Sequence, residues 1–566
     1  HYVKVKASQR SLIYWIRTND MKKLMLISIL ILMLCRVGLG ADIYVDKDFA
    51  GGSNDGSISN PWTTIQLALD NQTAGNTDTI HIKAAAADYP APATWDVTND
   101  ASVLTLQPYT APDNDVTLVA AGFSGMFLSG MTTGSVTFND LKIRSSGVAT
   151  SNIFRIDASA EVNVTFNRCG FGNAADDNDI RAFLTTAVAG TPTREITFDT
   201  CTFVNISQIT GGTSDLGKIE VTDCTYTITD VTTPSGNIFD LRQQNLNIII
   251  NNSEFNDART TGGSFLKFLD TTEDVTLVLA KITGNTINKS VGGGIIMSNT
   301  EVGTGQVFLE NNVITINASA NSGSSIHVGG DTTNVGDFPY TKIIGNTVKY
   351  TGASISHCYL IGQGVLGSYV EGNYAEGGNA QYVIKNSGCL MENNIGIGPG
   401  TLITKGSKQP IIRNNTFIAD SGSCFQPSNN TAAVPTEFNG ITNNIFMLTG
   451  TATYFIAADS GDVVGPGGHW IDNNCWYTDS ASYIGFMAVA GANPADFGAM
   501  QTYWLTWSPV QFPLNMANGI DVNPRFASFP TDLTPTNSAL KLGDNTWIGG
   551  VQPAAPGISG YRGRYR

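Results

Sequence analysis

Cysteine is scarce, with eight residues in a chain of 566 and no two of them in Cys-x-x-Cys spacing. That argues against a metal site built on cysteine. Charge is also sparse: only 14% of residues are Asp, Glu, Lys or Arg, and the 32 Lys and Arg are outnumbered by 47 Asp and Glu. The formal net charge of −15 excludes nucleic acid as a natural partner, because phosphate affinity depends on clustered basic residues. A polyanionic sugar would need a local basic patch or a bridging cation. Long apolar runs are nearly absent. The one clear run, Leu24–Cys35, falls short of the ~20 residues that cross a bilayer, so no membrane span is expected. Within the repeats described next, no stretch carries a 3.6-residue apolar period of helical length.

What the chain has instead is a returning motif: an apolar run, a pair that is often Asn-Asn, then another apolar or small residue. It reads IIINNSEF at Ile248–Phe255, VFLENNVI at Val307–Ile314, CLMENNIG at Cys389–Gly396, PIIRNNTF at Pro410–Phe417, GITNNIF at Gly440–Phe446 and HWIDNNCW at His469–Trp476. Weaker copies are VTFNDLKI, VTFNRCGF, ITFDTCTF, IEVTDCTY, ITGNTI, IIGNTV and YVEGNY. Together they make about thirteen copies between Val136 and Tyr477, roughly 20 to 35 residues apart. A period in that range marks a solenoid whose units bury their apolar faces only by stacking.

The apolar runs are short, rich in Val, Ile, Phe and Thr, and bounded by Gly, Asn, Asp and Ser, which are strand and turn signals. The expected fold class is all-β, a coil of short parallel strands. Asn tolerates left-handed backbone angles and can turn a tight corner, and stacked Asn side chains can hydrogen-bond along the axis. Thirteen coils at about 4.8 Å make a rod of roughly 60 Å. Cys169, Cys201 and Cys224 take one place in consecutive repeats, with Ser253 in that place in the next. They are expected to form a buried ladder of free thiols, since side chains stacked in parallel seldom reach disulfide geometry.

These repeats resemble the right-handed parallel β-helix of the pectate-lyase-like superfamily. The opening stretch Ile43–Asn71, IYVDKDFAGGSNDGSISNPWTTIQLALDN, is similar to the start of many secreted β-helix proteins, with a strand, a Gly/Asn/Asp turn and a short helix. TDTIHIKAA at Thr77–Ala85 falls where such proteins place their first coil strand, and Asp521–Asn545 resembles their closing segment. The resemblance covers most of Ile43–Gly550. It implies a right-handed solenoid with a helical N-terminal cap near Thr63–Asn71 and an aromatic-rich C-terminal cap. It says little about activity, because this fold hosts lyases, hydrolases, epimerases, adhesins and phage tailspikes.

The organisation read along the chain starts with residues 1–20 as upstream translation foreign to the mature protein. Residues 21–40 read as a signal peptide: a basic start at Met21-Lys22-Lys23, the apolar core, then small residues Gly38 and Gly40 before Ala41. Cys35 does not fit a lipoprotein site, because bulky Leu34 precedes it. Residues 41–130 form the N-terminal cap and first coils, 131–480 the repeats and 481–566 the closing segment. Localisation is expected to be secreted or cell surface. Without the first 40 residues, 25 basic and 46 acidic residues remain, a net of −21.

Candidate sites are few. Asp176, Asp177 and Asp179, in the loop GNAADDNDIR at Gly172–Arg181, suit calcium, which takes six to eight oxygen ligands. The same carboxylates could act as a glycosidase acid and base, or form a plain acidic loop. The Asp/Asn turn at Asp46–Asp55 is a second possible calcium loop. In Lys405–Arg413 the basic residues Lys405, Lys408 and Arg413 would serve proton abstraction beside a uronate, or simply lie on a surface turn. Trp470, Trp476 and Trp504 belong to a late aromatic group that would stack on sugar rings if exposed, or plug the last coil if buried. The Gly-His-Gly, Asn-Thr-Asp and Arg-Ile-Lys signatures of β-helix polygalacturonases are absent, as is the Asp-rich coil pattern of calcium-dependent β-helix lyases.

The function expected from this reading is a secreted protein that binds or processes extracellular polysaccharide, as a lyase or hydrolase with calcium as the candidate cofactor. The alternative is a non-catalytic, adhesin-like surface protein. Acidic or basic groups converging in a flank groove would favour the enzyme, and a smooth flank of Thr, Ser and Asn would favour binding. No catalytic residue can be assigned.

Overall fold

The computed structural model describes strands and corners between residues 40 and 535. Residues 1–39 and 536–566 lie outside the description, as do intervening loops that include 73–76, 173–180, 186–193, 330–339, 406–409, 429–439, 458–470, 489–494 and 503–522. Among the described residues the fold is all-β with almost no helix. The helix α1, Ile65–Asp70, has Thr64 as its N-cap, with Oγ1 accepting from the Leu67 N–H at 3.2 Å. It buries Ile65, Ala68 and Leu69 and packs against the strand Asp42–Val45.

Every other residue of a strand points inward, as in Leu246–Asn251, where burial alternates strictly. One strand is too short to bury anything alone. Each therefore pairs in parallel with the matching strand of the next coil. One sheet of sixteen strands runs in chain order from Asp42–Val45 to Ile471–Asp472. Its inner row passes from Ile43 through Phe138, Phe166, Phe198 and Ile282 to Ile441, all buried. The fifteen intervals span about 72 Å. This exceeds the expected rod because three strands within 42–108 join the ladder without carrying the Asn motif.

Two further parallel ladders complete each coil. They are separate until Ile395–Lys405, which pairs with both Tyr374–Glu376 and Ala380–Lys385. That strand and the next two, Thr416–Ser428 and Ile445–Ala457, run through both ladders, with register shifts along them. This arrangement of long stacked parallel sheets is consistent with a β-helix solenoid.

The Asn pairs sit at one corner, and the two residues of a pair do different jobs. The first takes the left-handed conformation: Asn311, Asn393, Asn414, Asn443 and Asn473 have φ of 54° to 59°, and in the copy IIINNSEF the corner is the second Asn, Asn252, at 50°, with Ser253 in the ladder place. Gly284, Gly345 and Gly372 occupy the same place in the Gly-Asn copies, also at positive φ. The second residue builds a buried ladder. Asn285, Asn312, Asn346, Asn373, Asn394, Asn415, Asn444 and Asn474 each pass Nδ2–H to the next Asn Oδ1 at 2.9–3.0 Å, up to Asn474. The backbone N–H of each donates to the same oxygen, as Asn346 does to Asn373 at 2.9 Å. Nδ2 also donates to a carbonyl one coil back, as from Asn373 to Ile343 at 2.8 Å.

Cys169, Cys201 and Cys224 continue this ladder, buried and free. Their thiols reach the equivalent carbonyls of Phe138, Phe166 and Phe198 at 3.3–3.5 Å. Ser253 joins the two series, its Oγ accepting from the Cys224 N–H and its own N–H donating to Asn285.

Candidate functional site

Outward residues of consecutive coils form columns one strand spacing apart on the sixteen-stranded sheet. Measured from the left-handed corner residue, the column three positions earlier begins as Thr137, Thr165 and Thr197. The column one position before the corner holds Asn139 and Asn167. Asn167 Nδ2 donates to Asn139 Oδ1 at 2.8 Å, and Asn139 donates on to Gln107 at 3.4 Å. Beyond these hydroxyls and amides the two columns continue with Asp199 and with Glu220 and Ile249, and Lys218 pairs with Glu220 at 2.7 Å.

Further along, the first column becomes Lys281, Phe308, Lys342, Tyr369, Leu390 and Ile411. The Lys342 ammonium stands 5.8 Å from the Phe308 ring centroid, in reach of its negative face. Tyr340 flanks them on the same strand, 64% exposed. The neighbouring column holds Glu310, Ile344, Glu371, Glu392 and Arg413. Tyr369 donates its hydroxyl to Glu392 Oε1 at 2.8 Å, while Arg413 Nε donates to Glu392 Oε2 at 2.7 Å. Asn393 Nδ2 reaches Glu371 Oε1 at 3.5 Å. Burial, followed by hydrogen bonding to Glu371 and Glu392, pushes the Tyr369 phenol well above its ordinary range. At neutral pH Tyr369 is therefore a donor rather than a base. Both oxygens of Glu392 are engaged. The face offers aromatic rings, cations and carboxylates to a hydroxyl-rich ligand, with Glu392 and Arg413 paired to each other within the sheet.

The residues singled out in the sequence fall elsewhere. Trp476 is 1% exposed and follows Phe417 and Phe446 in an inner row, its ring 4.3 Å from that of Phe446. It fills the core, as the plug alternative has it, and offers no ring face to a sugar. Trp470 and Trp504 lie outside the described residues, as do Asp176, Asp177 and Asp179. In the Asp46–Asp55 turn, Asp46 Oδ2 pairs with Lys83 at 2.7 Å and its Oδ1 accepts from the Asp48 N–H. Asp55 Oδ1 accepts from the Ser57 N–H at 2.9 Å. Among the described residues, no group of three or more His, Cys, Asp or Glu is placed to hold a metal. Arg413 is on the sixteen-stranded face, whereas Lys405 ends a strand of the fused ladders. Lys408 is outside the description.

Phe308, Lys342 and Tyr369 escape a reading of the sequence by composition. Aligning the repeat copies on the corner residue puts all three in one column, and that alignment was the signal available. No helix among the described residues is long and apolar enough to cross a membrane. No family model matches the chain, and no curated protein matches it either.

Proposed function

We propose that the chain is a secreted, right-handed β-helix protein of the pectate-lyase-like kind that holds extracellular polysaccharide against the outer face of its sixteen-stranded sheet. On this reading α1 caps the first coil, and the aromatic-rich closing segment, 481–566, caps the last. One observation carries the functional part: the outward column Phe308, Lys342 and Tyr369 continues, through Glu220, Ile249 and Lys281, a row that begins Thr137, Thr165 and Thr197. Aromatic faces suit sugar rings, and the hydroxyls, amides and paired charges beside them suit sugar hydroxyls. With Tyr369 protonated and Glu392 occupied on both oxygens, the face favours holding a chain over cutting it.

The enzymatic alternative rests on Glu371 and Glu392, carboxylates in register on adjacent strands. Titrating exported protein with a panel of neutral and uronate polysaccharides, with and without calcium, separates the readings. Binding is expected without release of oligosaccharides, and Phe308→Ala with Tyr369→Ala should weaken it about tenfold. Products that disappear with Glu392→Gln would establish the enzyme instead. Binding that requires calcium would bring the loop of Asp176, Asp177 and Asp179 into the site. No binding to any member of the panel would end the glycan reading.

A further inference from the structure

The first hydrogen bonds of the ladder begin at Ala41. Its N–H donates to Asp78 Oδ1 at 2.9 Å, and its carbonyl accepts from the Thr79 N–H at 3.0 Å. Register pairing starts one residue later, at Asp42 with Thr79. Asp78 is only 3% exposed, so a carboxylate is held inside the fold next to the nitrogen of an exposed residue. On the other side of that nitrogen, Gly40 is pressed on the sheet: a Cβ there would stand 1.2 Å from the Thr77 carbonyl oxygen. The bond between them follows an apolar core and the small residues Gly38 and Gly40, which is the pattern an export peptidase cuts.

We infer that Ala41 is the mature N-terminus and that Asp78 receives the α-ammonium created by cleavage. This rests on the export part of the proposed function and is independent of what the flank binds. In the step itself, a signal peptidase adds water across the Gly40–Ala41 amide. The hydroxyl goes to the Gly40 carbonyl carbon, leaving a carboxylate, and the Ala41 nitrogen takes up protons to become an ammonium. Before the cut, Asp78 accepts from a neutral amide. After it, the same oxygen faces a cation, which adds the attraction of opposite charges to the hydrogen bond. Processing would thus tighten the first strand onto the second.

The test compares the exported chain with an uncleaved form of the full chain retained by Leu30→Arg. Mass spectrometry of exported protein should show Ala41 as its first residue, and any other N-terminus overturns the proposal. Hydrogen exchange at the Thr79 amide reports the closing of the first strand. In exported protein Asp78→Asn should speed that exchange about tenfold, and in the uncleaved form clearly less. Equal effects in the two forms would overturn the role of Asp78. Gly40→Ala supplies the control: it should leave exported protein unchanged, because residue 40 is gone, and loosen Thr79 in the uncleaved form. A change in the exported form would show that residue 40 is still attached.

Discussion

The division of labour within each Asn pair is a residue-scale property that two substitutions can separate. Asn393 sits at φ 59°, a conformation that glycine adopts freely and alanine adopts at a cost of about 1 kcal/mol. Asn393→Gly is expected to be close to neutral and Asn393→Ala mildly destabilising. Asn373 holds a ladder rung. Its Nδ2 serves Ile343 and Asn394, and its Oδ1 accepts from both nitrogens of Asn346. Asn373→Ala orphans several buried groups and should cost about 3 kcal/mol or more. Denaturant titration of the three variants checks the order, and equal losses would refute the split. The thiols make a second residue-scale case. Burial pushes Cys389 and Cys424 up to about 12 and raises Cys201 and Cys358 as well. All seven free thiols among the described residues are buried, out of reach of reagent, so none should react with a thiol reagent at pH 8 in native protein. All seven should react in denaturant. The first residue of the pair was legible from the Gly-Asn copies. The second was not, because its ladder exists only once coils are stacked.

At the scale of the element, parity decides which side chains are inside, and it admits exceptions. Asp257 and Lys289 end consecutive strands in register, two residues beyond the buried Phe255 and Ile287. They therefore point inward, in a row continued by Ile228 and Ile316. Arg259 joins them. Its Nε and Nη2 hold the Asp257 carboxylate at 2.8 and 2.7 Å, and Lys289 Nζ approaches at 2.5 Å. Burial alone would raise the Asp257 pKa. The hydrogen bonds of Arg259 and the charge of Lys289 outweigh it and hold it at about 2. A carboxyl depressed in the folded state contributes stability above its unfolded pKa of ~3.9 and loses it as pH falls through the folded one. Stability should therefore drop between about pH 4 and pH 2, and Asp257→Asn should remove this part of the acid dependence. The same substitution leaves two buried cations without their anion, so a loss of about 3–5 kcal/mol is expected at pH 7. Urea titrations across pH would reject the assignment if wild type and variant lost stability in parallel. Charged residues in a strand ordinarily read as solvent-facing, so this cluster was hidden in the sequence. Counting parity from Phe255 and Ile287 exposes it. The outward column of Phe308, Lys342 and Tyr369 becomes visible by the same counting.

For the whole molecule, the fold was legible because its repeat is local. A period-2 apolar run and a corner recur, and stacking follows from the need to bury one face. The extra length of the rod was not legible, since the three strands in 42–108 share the inner row but not the corner. If stability is a sum of neighbour terms, coils should be removable as units. Deleting 312–345 joins Asn311 to Asn346, which thereby takes the place of Asn312, its ladder neighbour 34 residues earlier. The join keeps a left-handed Asn followed by a ladder Asn. It places Asn346 above Asn285, Ile343's successor Val370 above Leu309, and Tyr369 beside Phe308. The shortened chain should fold, with all seven thiols still protected, because none lies in the deleted segment. Deleting only 312–328 joins the same corner to the far end of a strand in another ladder, and every later side chain loses its register. That chain should expose its thiols or aggregate. The pair of deletions distinguishes a stack of equivalent coils from a fold held by particular long-range contacts, since the larger deletion must be the milder one. Equal damage from both would contradict the additive solenoid.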